Sequence, residues 1–427
     1  MTTIVIAAYG TRGDVAPLTG LGIRLRDSLS ARVVIAAQHP YARLVQASGL
    51  EFRVLPGDTQ TATRASEHGQ ALVDGARLRP SRPALDEMRA GLAGVGEAMA
   101  DTARDADVLL AEGPVGTLLG YHVAEALGIP SAGLSLQPAC PTADFAPPPL
   151  TTRSFGGRGN RMVWRVAESA ERIYTPLIDD LRHHLGLARS SRGSYHAARA
   201  RHWPIVHGYS HHLVERPRDW RSHWHLAGYW WPHHDETWLP SQELTEFIDS
   251  GPAPVFVGFG STATAKGPEL SETLATAIGH AGVRAVVQRG WAGLSCDDND
   301  VLTVDDVPHS WLFPRMAAVV HHCGAGTTAA ALRAGVPSIP VPGIMDQPFW
   351  ADRLSRLGAA CTPLPRTTLR ADELSAAITA VITESRYRQE AQRLSRLVCD
   401  EDGAGAAVDI IASLLDATTT KGAHHGH

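Results

Sequence analysis

The feature that most restricts this chain is a short run of β-branched and aliphatic residues followed by a longer amphipathic stretch, repeated several times in each half. In the first half the runs are IVIA at 4–7, RVVIAA at 32–37, FRVL at 52–55, VLLA at 108–111 and AGLSL at 132–136. Between them lie helical patterns from about Val15, after Pro40, at 84–104 and from Thr117 to Leu127. The second half repeats the alternation with VFVGF at 255–259, RAVVQ at 284–288, VLTV at 301–304, AAVVHH at 317–322 and PSIPV at 337–341, with helices predicted at 268–280, Thr327–Ala334 and 348–357. Strands that are apolar throughout and alternate with helices belong in parallel sheets covered on both faces. The expected fold is therefore α/β, with two Rossmann-like doubly wound domains facing across a cleft and ligands at the carboxyl ends of the strands.

A length of 427 residues suits two large units. Proline-punctuated sequence around 235–252 places the boundary, giving an N-terminal domain at 1–235, a linker at 236–252 and a C-terminal domain at 253–400. A helix at 401–416 is expected to pack back on the first domain, and 417–427 reads as a disordered tail. The stretch 137–165, rich in Pro, Thr and Gly, breaks regular structure, and one long helix is expected from about Arg161 to His184. The Trp-rich segment 203–231 reads as irregular.

Composition removes several classes of function. Lys and Arg number 39 against 44 acidic residues, so nothing supplies the basic excess that holds a nucleic acid. No apolar run approaches the roughly 18 residues of a membrane span, and the start MTTIVIAAYG lacks a basic leader region, so a cytoplasmic protein is expected. Five cysteines without a CxxC pair read as reduced thiols. The cluster His207, His211, His212, His223, His225, His233, His234 lacks the spacing of a helical metal motif and is read as holding no metal. Of two acid-rich stretches, CDDND at 296–300 reads as a surface turn and VDDVP at 304–308 opens the loop before Trp311.

The chemistry concentrates at 317–354, AAVVHHCGAGTTAAALRAGVPSIPVPGIMDQPFWADRL, which reads as strand, Gly-rich turn, helix, strand, loop, helix. Gly324 and Gly326 let a ligand approach the backbone, and a helix opening near Thr327 and Thr328 offers unpaired amides and a positive dipole end to a diphosphate. His322 adds a side-chain donor. The same residues also fit a dinucleotide fingerprint, since Gly324, Gly326 and Ala329 match G-x-G-x-x-A and Asp346 lies 20 residues beyond Gly326. A tight turn that binds nothing is the third reading. In the first domain, GTRGDVAP at 10–17 joins strand one to helix one, where Asp14 would serve as a helix N-cap on propensity alone.

These stretches resemble the GT-B glycosyltransferases, closest to the sterol glucosyltransferases and the bacterial macrolide and glycopeptide glycosyltransferases. The likeness runs through TRGDVAPL at 11–18, LGIPSAGLSLQPACPT at 127–142, GYSHHLVERPRDW through AGYWW at 208–231, VFVGFGSTAT at 255–264, VVQRGWAGL at 286–294, DDVPHSWLFPRMAAVVHHCGAGTT at 305–328 and DQPFWADRL at 346–354. The resemblance implies a metal-independent inverting transferase. His322 and the amides of Gly324, Ala325, Gly326 and Thr327 would hold the diphosphate, Ser261 would add a phosphate contact, and Asp346 with Gln347 would bind sugar hydroxyls. Val307 and Trp291 fall where the base is held, Thr11, Arg12 and Gly13 beside the donor, and Asp14 at the position of the general base. Implied partners are a UDP- or TDP-sugar and a lipophilic natural product or sterol, with no cofactor beyond the sugar nucleotide. The acceptor pocket falls on 56–105 and 143–200, where the likeness fades. A nicotinamide-dependent oxidoreductase, a sugar-nucleotide epimerase and an inactive partner of another transferase remain as rivals.

Overall fold

Parallel strands organise both halves of the computed structural model, which describes residues 1–66, 69–70, 82–296 and 298–423. The first sheet has seven strands, β1 (Thr3–Ala8), β2 (Arg32–Gln38), β3 (Glu51–Leu55), β4 (Val108–Glu112), β5 (Ser131–Ser135), β6 (Ile205–His207) and β7 (Trp224–Leu226), in the order β3-β2-β1-β4-β5-β6-β7. The second has five, β8 (Val255–Gly258), β9 (Ala285–Gln288), β10 (Val301–Val304), β11 (Ala318–His321) and β12 (Ser338–Pro340), in the order β10-β9-β8-β11-β12. Every pairing of named strands is parallel. Burial on both faces explains why the strands show no polar alternation. Ile4, Ile6 and Ala8 face one apolar layer with Val15, Leu18 and Leu21, while Val5 and Ala7 face another with Met99 and Leu119.

Three local expectations need correction. The Trp-rich segment is not wholly irregular, because β6 and β7 extend the first sheet; at three residues each they are too short to show a period. The single helix expected from Arg161 to His184 is instead a helix over Gly156–Ala170, a 3₁₀ turn over Glu171–Tyr174 and a second helix over Thr175–His184. Pro176 stands in the first turn of that second helix, where its missing N–H is tolerated but where it cannot continue an earlier ladder. The pattern at 84–104 is likewise split, into helices Arg82–Gly91 and Val95–Ala103, with Gly94 between them at φ +74°.

The chain returns to its beginning at the end. The helix Gly403–Ala423 sends Ala407, Val408 and Ile411 into the same apolar layer as the first helix, Arg12–Leu29. The stretch expected to be a loose tail from 417 stays helical to Ala423, and 424–427 lie outside the described residues. The two halves also meet in an aromatic cluster in which Phe145 lies 5.4 Å from Phe349 and Tyr209 lies 5.6 Å edge-on to Trp350, ring centre to ring centre.

Where the returning chain crosses, backbone rests on backbone. A Cβ on Gly403 would lie 2.4 Å from the Gly228 carbonyl carbon and 2.5 Å from the Tyr229 oxygen. Gly279, inside the helix Gly267–Ala281, has nothing within 4 Å of the same position. Gly403→Ala should therefore cost about 1–3 kcal/mol by forcing the crossing apart, whereas Gly279→Ala should add about 0.5–1 kcal/mol by removing glycine's backbone entropy from a helix. Urea unfolding of the two variants beside the wild type reads both signs.

Candidate active site

In each sheet the strand order reverses at one place, between β1 and β4 in the first and between β8 and β11 in the second. Helices leave the sheet in opposite directions there, opening a crevice at the carboxyl ends of the strands. The residues singled out from the sequence gather at these two crevices.

On the second domain, β11 ends at His321 and the chain turns through His322 and Cys323 into the helix Ala325–Ala334. Gly324 is the N-cap and provides no side-chain bond. The first bond of that turn runs from the Thr328 N–H to the Gly324 carbonyl, leaving the amides of Ala325, Gly326 and Thr327 aimed out of the helix end. Nothing lies within 4 Å of where a Gly326 Cβ would be, so the space over these amides is open. Cys323 takes φ +62° and Met345 φ +61°, unusual for side-chain-bearing residues, and the two stand in the loops that follow β11 and β12.

The two histidines have different surroundings. His321 is fully buried, its Nδ1 accepting from the Cys323 N–H at 3.2 Å. His322 is half-buried, its ring lying against Gly260 and Gly324; a Cβ on Gly324 would stand 2.5 Å from Nε2. Burial, joined by neighbouring histidines, takes His321 down to about 3, and burial with His309 and Arg366 takes His322 to about 4, so both are neutral imidazoles near pH 7. Ser261 follows β8 one residue after Gly260 and is half-buried. The Trp291 backbone N–H donates to the Gly260 carbonyl at 3.0 Å, which brings the main chain of Trp291 to the loop after β8. The Val307 side chain packs with Leu312 and Phe313, so only its main chain is available to a nucleobase. Asp346 precedes the helix Gln347–Arg356 and its Oδ2 accepts from Trp350 Nε1 at 2.7 Å, while Gln347 Oε1 accepts from the Gly343 N–H at 2.8 Å. Trp350 thus fixes the Asp346 carboxyl, and the Gly343 amide the Gln347 side chain.

On the first domain, the helix after β1 is capped by Thr11 and not by Asp14. Asp14 is the third helical residue of a capping box: its Oδ2 accepts from the Thr11 N–H at 2.5 Å and from Thr11 Oγ1 at 3.0 Å, while the Gly13 N–H donates to Thr11 Oγ1 at 3.2 Å. Burial raises the Asp14 pKa against these bonds. Glu112, the last residue of β4, pairs in register with Ala8 at the end of β1. It is buried, its Oε2 has no hydrogen-bond partner, and burial with the nearby Asp14 charge lifts it well above the usual carboxylate range.

Contacts join the two crevices. Arg12 Nη1 lies 3.2 Å from Asp306 Oδ2, so the loop that VDDVP opens takes part in the interdomain contact. Asp346 is pushed up to about 6, by burial first and by the charge of Asp14 as well, so the carboxylates of the two domains sense each other across the cleft.

With this geometry in place, the relatives are informative. Residues 280–404 match the family model for the erythromycin biosynthesis protein CIII-like C-terminal domain. The O-mycaminosyltylonolide 6-deoxyallosyltransferase of Streptomyces fradiae is 32% identical over 432 residues, covering 98% of each chain. The chain belongs to the sterol and macrolide glycosyltransferases of GT-B fold. A sterol 3-beta-glucosyltransferase of Arabidopsis thaliana is also 32% identical over 95% of this chain, which spans 64% of that relative's length. In fold, the kitacinnamycin glycosyltransferase superposes with a TM-score of 0.70 at 18% identity, covering 96% of this chain and 98% of its own. VinC, a glycosyltransferase crystallised with dTDP, gives 0.65 at 16%, covering 97% and 100%.

Two residues of this glycosyltransferase site escaped the sequence reading. Glu112 looks like the tail of an apolar strand, and only its position opposite Ala8 shows it to be a buried acid beside Asp14. Arg366 lies beyond the Gly-rich signature, yet it is buried and close enough to His322 to lower its pKa.

His321 also makes a pH-dependent contribution to stability. Its folded pKa of about 3 lies below the ordinary 6.5, so unfolding takes up a proton as the pH falls through that interval. The associated stability is complete above 6.5 and is lost toward acid. His321→Asn should make the thermal midpoint less acid-sensitive than that of the wild type between pH 6.5 and about 4, whatever the substitution costs at neutral pH. Midpoints measured across that range test it, and parallel curves would refute the buried neutral imidazole.

Proposed function

We propose that this glycosyltransferase moves a sugar from a UDP- or TDP-activated donor to a hydroxyl of a lipophilic acceptor, by a single inverting displacement without a metal. The observation that carries the reading is the meeting, across one cleft, of the Asp14 carboxylate with the open helix end at Ala325–Thr327 and the half-buried His322. The acceptor oxygen attacks the anomeric carbon, the bond from that carbon to the diphosphate oxygen breaks, and Asp14 takes the acceptor proton. Amides at the helix end and His322 face the charge that develops on the departing diphosphate, where fixed donors are most effective. Asp346 and Gln347, each held by one bond, keep the sugar oriented. Ser261 adds a phosphate contact, and Trp291 with the Val307 main chain borders the base.

Glu112 takes the role of a neutral neighbour. Two buried carboxylates this close cannot both ionise cheaply, and Glu112, with an unpartnered oxygen, is the one that keeps its proton. Asp14, held by the Thr11 amide and hydroxyl, is then the ionised partner able to act as base.

The lipophilic acceptor is supported by the apolar side chains exposed on the segment that leads into and forms the helix Gly156–Ala170, Leu150 and Phe155 before it and Met162 and Val166 within it. Part of the expected acceptor segment, 67–68 and 71–81, lies outside the described residues. The dinucleotide reading loses support, because a ribose-binding acid should end the second strand of its unit; β12 ends at Pro340, and Asp346 instead opens the next helix and holds Trp350.

Four outcomes test the proposal. Asp14→Asn keeps the shape and the capping acceptor but cannot take a proton, so transfer should fall about 10²- to 10⁴-fold with TDP or UDP affinity retained. Glu112→Gln, a mimic of the protonated acid, should leave transfer little changed. Together these separate a base from a cap in steady-state assays with calorimetric nucleotide binding; near-normal transfer by folded Asp14→Asn sinks the assignment. His322→Ala should slow transfer on the order of 10²-fold. EDTA should leave turnover intact at temperatures well below unfolding, and loss of activity restored by magnesium or manganese would overturn the metal-free account.

A further inference from the structure

The histidine-rich stretch read from the sequence as holding no metal acquires a third ligand from far along the chain. The turn after β6 carries His211 and His212, and the returning chain brings Glu401 against them, just before the helix Gly403–Ala423. His211 Nδ1 lies 2.7 Å from Glu401 Oε1, His212 Nε2 lies 3.8 Å from the same oxygen, and the three candidate ligand atoms all fall within 4.8 Å of one another. Ligand atoms about 2.0 Å from a tetrahedral zinc stand about 3.3 Å apart, and the observed separations straddle that value. The rings of His211 and His212 face each other with centres 3.8 Å apart.

Glu401 itself needs a cation. Its side chain is 10% exposed, and Oε2 has no hydrogen-bond partner. Ser210 Oγ donates to Oε1 at 2.8 Å and at the same time accepts from the His212 N–H at 3.0 Å, so one hydroxyl fixes both the carboxylate and the turn. Arg393, whose charge reaches this turn, is itself paired with Glu390 at 2.7 Å.

We propose that His211, His212 and Glu401 bind a borderline divalent transition ion, zinc in particular, with water completing the shell on the exposed side of His211. Two imidazoles and a single carboxylate select this class over magnesium or calcium. The site ties the N-terminal domain to the returning segment beside the Gly403 crossing, away from the diphosphate crevice, and it acts on stability.

The test uses the full chain in which His424, His425 and His427 are replaced by Ala, so that the terminal histidines cannot compete for the ion. After EDTA and dialysis, zinc is titrated by calorimetry and counted by mass spectrometry, with thermal unfolding measured alongside. One ion per chain and a raised thermal midpoint are expected. Loss of second-shell groups alone typically costs 10- to 100-fold in metal affinity, so Glu401→Gln or His212→Ala should cost at least about 100-fold and abolish the midpoint shift. TDP or UDP binding by these variants confirms that they fold. Absence of stoichiometric zinc, or affinity unchanged in both folded variants, overturns the site, and neither result bears on sugar transfer.

Discussion

Everything at the cleft depends on the reversal of strand order, once in each sheet, at β1 and β4 and at β8 and β11. Parallel sheets place all their loops of one kind at one edge, and only at a reversal do neighbouring loops part to leave a crevice. The registers bring particular atoms to that edge: Ala8 stands opposite Glu112, and His321 opposite Gly258. The loop holding Asp14 therefore begins beside Glu112, and the loop holding His322 begins beside Gly260. Apolar strand interiors thus bring the Asp14 carboxyl and the open helix end after His322 to the two crevices.

Much of this was legible in the sequence, for identifiable reasons. Most of the ten strands read from it are buried on both faces, where an unbroken aliphatic run is itself the signal; β3, with Arg53 and Val54 exposed, and β10 are the less enclosed ones. The Gly-rich turn was visible because only small residues let the backbone crowd the His322 ring on two sides. What stayed hidden depends on pairing and on long separations. β6 and β7 take their identity from the edge they join, Glu112 from the strand across from it, and Glu401 from a turn about 190 residues earlier. A helical pattern also says little about where a helix breaks, as Gly94 and Pro176 show.

The interface between the domains is part of the chemistry. Trp350 is almost wholly enclosed; its ring meets Tyr209 of the first domain, and its indole N–H holds Asp346. One side chain thus fixes the position of the Asp346 carboxylate and joins the two halves, so the orientation of Asp346 depends on the first domain being in place. Arg12 and Asp306 add a link at the mouth, but both side chains are more than half exposed, and a pair so exposed contributes little to stability. The aromatic cluster and the Gly403 crossing therefore set the spacing of the domains, and the ion pair at most tunes it.

Charge is distributed in the cleft in a way that fits a reaction creating an anion on one side and moving a proton on the other. His309, His321 and His322 are held near 3 to 4, so their part of the second domain presents neutral rings beside the amides of the helix end and the buried Arg366. Asp14 and Glu112 on the first domain, and Asp346 across from them on the second, are all lifted, each by burial first. A diphosphate entering the first environment would favour protonation of His322, and an acceptor hydroxyl entering the second would meet a carboxylate whose raised pKa makes it a stronger base than one in water. The two shifts have one cause, the withdrawal of these groups from solvent, and they act in opposite directions only because an imidazole is charged when protonated and a carboxyl when it is not.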